Sequence, residues 1–144
     1  MEYLHIHMPN LYNRFVETEH EFNRWVRDIL KNRGWMVNRI ESSKVCLGYP
    51  DLDCYTPDGH NVKLELKTYD RKLSPSQVNW WIYAKLYKAI GWILRFDDDT
   101  IIVYDPILLS MQDKGSLNKM SKHQTFSRLE IPALVNFLEE NSHS

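Results

Sequence analysis

The chain reads as an α/β domain with a mixed central sheet flanked by helices. Three observations predict this. An apolar stripe of helical period runs over residues 18–33, where Phe22, Val26 and Ile29 recur and Trp25 and Leu30 widen the face. A run of period two, Asn61 to Thr68, sets Val62, Leu64 and Leu66 against Lys63, Glu65 and Lys67. A second helix start, Ser74-Pro75, leads on to the apolar runs Trp92–Phe96 and Thr100–Tyr104.

Taken in order, Tyr3 to His7 reads as a short strand and Pro9-Asn10 as a turn. The first helix opens on Thr18-Glu19-His20-Glu21, a capping box in which Glu21 reaches back to the Thr18 amide. Gly34 supplies its stop, Trp35 to Ile40 is a strand, and Ser42 to Gly48 is a loop. Leu52 to Thr56 and Asn61 to Thr68 form a hairpin about Pro57-Asp58-Gly59, where proline presets φ and glycine accepts a positive one. Serine caps the second helix, which runs to about Ile90 and ends at Gly91. Two strands follow around the acidic turn Asp97–Asp99, and Asp105-Pro106 breaks the pattern. Residues 111–128 are polar and carry no clear period, and Leu129 to Glu140 is a last amphipathic helix with Pro132 in its first turn. The order is an αβββαβ core over about residues 15–104. Residues 105–144 are an extension with a final helix, within one domain spanning 1–144.

Hydrophobic residues make up 43% of the chain, enough for a true core, and no apolar run approaches the ~18 residues of a membrane span. Met1 to Asn10 lacks the pattern of a signal peptide, so a cytoplasmic location is expected. Cys46 and Cys54 make no CxxC pair, His60 completes no zinc spacing, and His5 and His7 have no acidic partner nearby, so reduced thiols and no zinc are expected. The net charge of −1 does not advertise nucleic acid, but residues 61–96 hold seven basic and two acidic groups. That local excess, through Lys63, Lys67, Arg71, Lys72, Lys85, Lys88 and Arg95, suits a phosphate-facing surface.

The chemistry concentrates in Pro50-Asp51 and Glu65-Leu66-Lys67. Glu65 and Lys67 are two apart on a strand, so they leave one face. The hairpin brings Asp51, at the mouth of the other arm, beside Glu65. Two converging carboxylates repel unless a cation lies between them, and oxygen ligands suit Mg²⁺ or Mn²⁺. The Leu66 carbonyl offers a further oxygen, and Lys67 stands where it can orient an attacking water or meet developing negative charge. An ordinary solvated strand face would also place Glu65 and Lys67 two apart, so the pair gains meaning only with Asp51.

Gly48-Tyr49-Pro50-Asp51-Leu52 followed by Glu65-Leu66-Lys67 resembles the signature of the PD-(D/E)XK nuclease superfamily. Flanking pieces resemble its VRR-NUC, Holliday junction resolvase-like branch. Glu19, Asn23, Val26, Leu30 and Gly34 fit the spacing of its first helix, and Leu73-Ser74-Pro75-Ser76-Gln77 fits its second helix start. The resemblance spans roughly residues 19–96 and implies a restriction-endonuclease-like fold, with Mg²⁺ or Mn²⁺ held by Asp51, Glu65, Leu66 and Glu19. It also implies that Gln77 helps hold the site, as a brace for Lys67 or the scissile phosphate. Because Glu21 is engaged as a cap, Glu19 is left free for that role. Ser74 reads as a cap only.

Arg71, Lys72, Lys85 and Lys88 are the candidate DNA contacts, positioning the backbone without reading sequence. The aromatic run Asn79-Trp80-Trp81-Ile82-Tyr83 suits core or a subunit interface, and a homodimer is expected. The expected activity is hydrolysis of DNA phosphodiester bonds, with branched DNA the favoured substrate. The alternatives are a sequence-specific endonuclease of restriction or homing type, and a non-catalytic nucleic-acid-binding module that keeps the fold.

Overall fold

The computed structural model of the chain describes residues 11, 13–41 and 47–143. The Tyr3–His7 strand, Cys46 and most of the 42–48 loop lie outside the described residues. Helix α1 (Glu19–Asn32) leads into strands β1 (Met36–Arg39), β2 (Leu52–Tyr55) and β3 (Asn61–Thr68). Helix α2 (Pro75–Leu86), β4 (Gly91–Asp97) and β5 (Thr100–Tyr104) follow, then β6 (Gln124–Ser127) and α3 (Ile131–Glu140). The αβββαβ order expected from sequence is present as α1-β1-β2-β3-α2-β4.

The strands form one mixed sheet in chain order, β1 to β6. Every adjacent pair is antiparallel except β3 and β4, which α2 joins as a parallel crossover. Helices cover both faces. On one, Phe22, Trp25, Val26, Ile29 and Leu30 of α1 and Leu134, Val135 and Leu138 of α3 meet Val62, Leu64, Leu66, Leu94 and Phe96. On the other, Val78 and Trp81 of α2 pack with Ile93, Ile102 and Tyr104. The polar face of β3 is therefore not a solvated face. It lies beneath α2, and Glu65 is 0% exposed.

The caps explain the helix limits. Thr18 Oγ1 accepts from the Glu21 amide while the Glu21 carboxylate accepts from the Thr18 amide, completing the capping box. Gly34 takes φ +88° just past the end of α1. Ser74 caps α2 through the Gln77 amide.

Two expectations are corrected here. Helix α2 stops at Leu86 rather than Ile90, because Tyr87 caps it and Lys88 takes the left-handed turn at φ +61°. Gly91 is accordingly the first residue of β4. Its glycine identity answers crowding, since a Cβ there would lie 2.4 Å from the Trp81 ring and 2.5 Å from the Lys63 carbonyl.

Asp98 and Asp99, both at positive φ, make the two-residue turn between β4 and β5. Residues 111–128, without a legible period, hold short 3₁₀ turns and the edge strand β6. The last helix begins at Ile131, after a 3₁₀ turn at Arg128–Glu130, with Pro132 in its first turn as expected. Among the described residues no helix is long and apolar enough to cross a membrane.

Candidate active site

Asp51 enters from the loop before β2. Gly48 makes that loop's approach possible, since at φ +82° a Cβ would lie 2.2 Å from the Ser76 carbonyl of α2. The β2–β3 register sets Leu52 opposite Leu64, which brings Asp51 alongside Glu65. The Asp51 carboxylate accepts from the Leu66 amide at 2.8 Å, which fixes its direction.

Glu65 sits at the centre of this arrangement. Its Oε1 accepts from Gln77 Nε2 at 3.1 Å, while its Oε2 is buried with no hydrogen-bond partner. Burial pushes its carboxyl well above the usual carboxylate range. The neighbouring Asp51 charge pushes the same way, Lys67 opposes, and Glu19 adds to the rise. Gln77 thus does two jobs, since its Oε1 also accepts from the Ser74 amide at 2.8 Å as the second half of the α2 capping box. It braces Glu65, whereas the sequence had suggested Lys67 or the substrate as its target.

Lys67 leaves the same face of β3 and is 8% exposed. From the first turn of α1, Glu19 faces a groove of about 200 Å³ lined with His20, Asn23, Arg39, Asp51 and Leu66. Its Oε1 is buried without a hydrogen bond and lies 3.9 Å from Arg71 Nε. Asn23, one turn further on, accepts from Arg27 Nε at 2.7 Å.

The fold thus brings Asp51, Glu65, Leu66, Lys67, Gln77, Glu19 and Arg71 to one place, and Lys72 lies in the same exposed loop after β3. It does not bring Lys85 and Lys88 there. They lie at the far end of α2, roughly 12 Å along its axis from Gln77 at about 1.5 Å per residue. Lys85 Nζ donates to the Ala89 carbonyl at 3.0 Å, and burial lowers its pKa against an opposing pull from Asp105.

A hard divalent cation fits the donor set. The groups are all oxygens, and two of them, Glu65 Oε2 and Glu19 Oε1, are buried acceptors without donors. Among the described residues no three His, Cys, Asp or Glu side chains are grouped so as to hold a metal ion on their own. Mg²⁺ does not require one, because it characteristically keeps waters and substrate oxygens in its shell.

Sequence reasoning missed three residues beside the site and counted a fourth, Arg95, only among the basic groups of residues 61–96. His20 and Arg39 line the groove with no signal beyond their type. Arg95 is buried within the apolar run of β4, where a lone charge was a readable signal, and Asn118 accepts its hydrogen bond from a segment without a period.

No family model matches the chain, and no curated protein matches it in sequence. Among solved structures it is similar to Hjc, a Holliday junction resolvase from the archaeal hyperthermophile Archaeoglobus fulgidus. The TM-score is 0.50 at 16% identity, over 78% of this chain and 89% of that one. The likeness is one of fold.

Proposed function

We propose that this chain is a metal-dependent endodeoxyribonuclease that hydrolyses DNA phosphodiester bonds, with branched DNA such as a four-way junction as its substrate. The observation that carries the reading is Glu65. It is a wholly buried carboxylate, held by Gln77 and set against Asp51, with one oxygen that no donor reaches. A carboxylate kept only for structure would have its acceptors satisfied, because an unpaired buried acceptor is destabilising. The presence of a charged lysine two residues on, in the same buried layer, supports the same reading.

Asp51 and Glu65 hold Mg²⁺ or Mn²⁺ in this reading, with Glu19 joining directly or through water and the Leu66 carbonyl as a further oxygen. An ion held there would supply Lewis-acid chemistry, polarising the phosphodiester and easing ionisation of water and departure of the leaving oxygen. The chain's own residues do the rest. Leu66 N–H aims Asp51, and Gln77 locks the Glu65 rotamer. Lys67 orients the attacking water and faces the negative charge that grows on the phosphoryl oxygens. Arg71 and Lys72 contact phosphates beside the cut, and Lys85 on α2 and Lys88 just past its end contact DNA further away.

The preference for branched DNA is supported by the fold shared with a protein described as a Holliday junction resolvase. A homodimer is supported by the exposed apolar residues Tyr83 and Leu86 on α2 and Tyr87 at its C-terminal cap.

The test is cleavage of four-way junction, linear duplex, plasmid and single-stranded DNA in Mg²⁺ or Mn²⁺, with EDTA and Asp51→Ala as controls. Paired cuts in the junction that vanish in both controls support the proposal. Cutting at one duplex sequence moves the assignment to a site-specific endonuclease. Activity that survives Asp51→Ala refutes the assigned site.

A further inference from the structure

Arg95 lies in the buried run Trp92–Phe96 of β4 and is 5% exposed. It faces α2, because Ile93 on the same side of β4 belongs to the α2 cluster while Trp92, Leu94 and Phe96 belong to the opposite one. Its register partner on β3 is Lys67. Two cations therefore stand side by side at the carboxyl ends of the two parallel strands. Among the described residues neither makes an ion pair with a carboxylate. Arg95 Nη1 donates to Asn118 Oδ1 at 2.7 Å, and the guanidinium carbon lies 5.5 Å from the Tyr104 ring centre. Arg95 Nε and the Tyr104 hydroxyl are both buried with no hydrogen-bond partner.

Neighbouring like charges repel, and a buried guanidinium without a counter-charge is strongly unfavourable. Asn118 and Tyr104 orient Arg95 but cannot neutralise it. What Arg95 lacks is an anion in direct contact. The planar fork of arginine matches two phosphate oxygens, and the crevice beyond the carboxyl ends of parallel strands is where α/β sheets bind ligands.

We propose that Arg95, anchored by Asn118 and stacked on Tyr104, is a phosphate-binding residue that takes a non-bridging oxygen of the DNA strand beside Lys67. The choice of DNA as the phosphate's source rests on the nuclease reading, but the test does not depend on cleavage. It asks one further charge-assisted contact of a residue whose neutral partners leave its charge uncompensated.

The experiment is anisotropy of fluorescein-labelled four-way junction DNA titrated with the full chain in EDTA, across a range of salt. The slope of log K against log salt reports phosphate contacts, at about 0.9 per contact. Arg95→Gln is expected to lower that slope by about one, whereas Arg95→Lys keeps it. Asn118→Asp, on an exposed residue, folds even if Arg95→Gln does not. It gives Arg95 an internal carboxylate and is expected to lower the slope similarly, while Asn118→Ala, which removes the anchor without neutralising the charge, lowers it by less.

An unchanged slope in Arg95→Gln or in Asn118→Asp overturns the proposal. Equal loss of slope in Arg95→Lys and Arg95→Gln, with equal loss of melting temperature, marks a structural role and also overturns it. If the wild type cuts DNA in Mg²⁺ while the slope never moves, this proposal falls and the nuclease reading stands. Slope loss in a chain that cuts no DNA leaves the phosphate site standing and removes the nuclease. A wild type that binds no DNA overturns both.

Discussion

Replacing Glu65 with glutamine is expected to stabilise the metal-free protein while abolishing cleavage. In the wild type Glu65 Oε2 is buried without a donor and the Asp51 carboxyl faces it, so the ionised form is poorly accommodated. The amide of Glu65→Gln keeps an acceptor for Gln77 Nε2 and gains donors that can face Asp51. Relieving one unsatisfied buried acceptor contributes about 1–3 kcal/mol. For a chain of this size each kcal/mol raises the melting temperature by about 2–4 °C.

The effect depends on pH with a definite sign. The Glu65 carboxyl is raised in the folded chain, so between the ordinary carboxylate range and its raised value the folded state holds a proton that the unfolded chain has lost. The stability this proton provides is fully present below the ordinary range and is lost as pH climbs through the raised value. Melting in EDTA should therefore separate wild type and Glu65→Gln little at pH 5 and more at pH 8. Saturating Mg²⁺ or Mn²⁺ should reverse the order, because a ligand at one hundred times its Kd adds about 2.7 kcal/mol only where its site is intact. Calorimetry in the two conditions reads both effects. Equal melting temperatures in EDTA at pH 8, or equal metal stabilisation of the two proteins, would refute the reasoning.

Three further outcomes are expected. Lys67→Ala should keep its metal-induced rise in melting temperature yet lose about 10²–10³ in cleavage rate, since it removes a group acting on developing charge, and a wild-type rate would remove Lys67 from the mechanism. Gln77→Ala loses both the capping bond to Ser74 and the bond to Glu65, so it should melt lower by about 1–2 kcal/mol and lose about 10–100-fold in metal affinity or rate. Ser74→Ala, which removes the cap hydroxyl alone, should lose stability but not rate. Gly91→Ala places a Cβ 2.4 Å from Trp81 and should cost about 1–3 kcal/mol by denaturant unfolding, a loss that Trp81→Phe in the same chain should partly restore.

What could be read from sequence follows how local each signal was. Thr18 with Glu21 and Ser74 with Pro75 cap their helices within one turn, so both starts were legible. Val62, Leu64 and Leu66 announced a strand, but nothing in period two told that Lys63, Glu65 and Lys67 would be covered by α2 rather than by water. That depended on the crossover that sets β4 parallel to β3. Gly91 misled for the same reason. A glycine after an apolar helix reads as a stop, whereas here its hydrogen makes room for Trp81 from the same helix folded back on the sheet. Asp51, Glu65 and Lys67 were legible because resemblance and spacing agreed, and Gln77 through the resemblance alone. Arg95 was counted as surface charge, since only the register with Lys67 and the return of residues 117–119 give it a place. The strand Gln124–Ser127 escaped because an edge strand with one buried side chain, Phe126, carries almost no pattern.

Strand β3 ties the fold to the site more tightly than either helix does. Its even positions, Val62, Leu64 and Leu66, hold the α1 face, and its odd positions carry Glu65 and Lys67 beneath α2. A slip of one residue against β2 would send Glu65 into the apolar layer and Leu64 toward Asp51, so core and site would fail together. The register is accordingly held at the hairpin end. The Gly59 amide donates to the Thr56 carbonyl at 2.8 Å, the His60 amide donates to Thr56 Oγ1 at 3.1 Å, and Asp53 takes both Lys63 at 3.1 Å and Asn61 at 2.7 Å. All of these contacts lie on the turn side of the carboxylates that carry the chemistry, yet each helps fix which way those carboxylates face. Because Asp51 and Glu65 sit on opposite arms of this one hairpin, loosening the turn misaligns them before it alters the helices that cover the sheet. Loss of metal affinity with retained far-ultraviolet dichroism is therefore the signature expected of damage at Thr56 or Asp53, and loss of both together is the signature of damage in the α1 face.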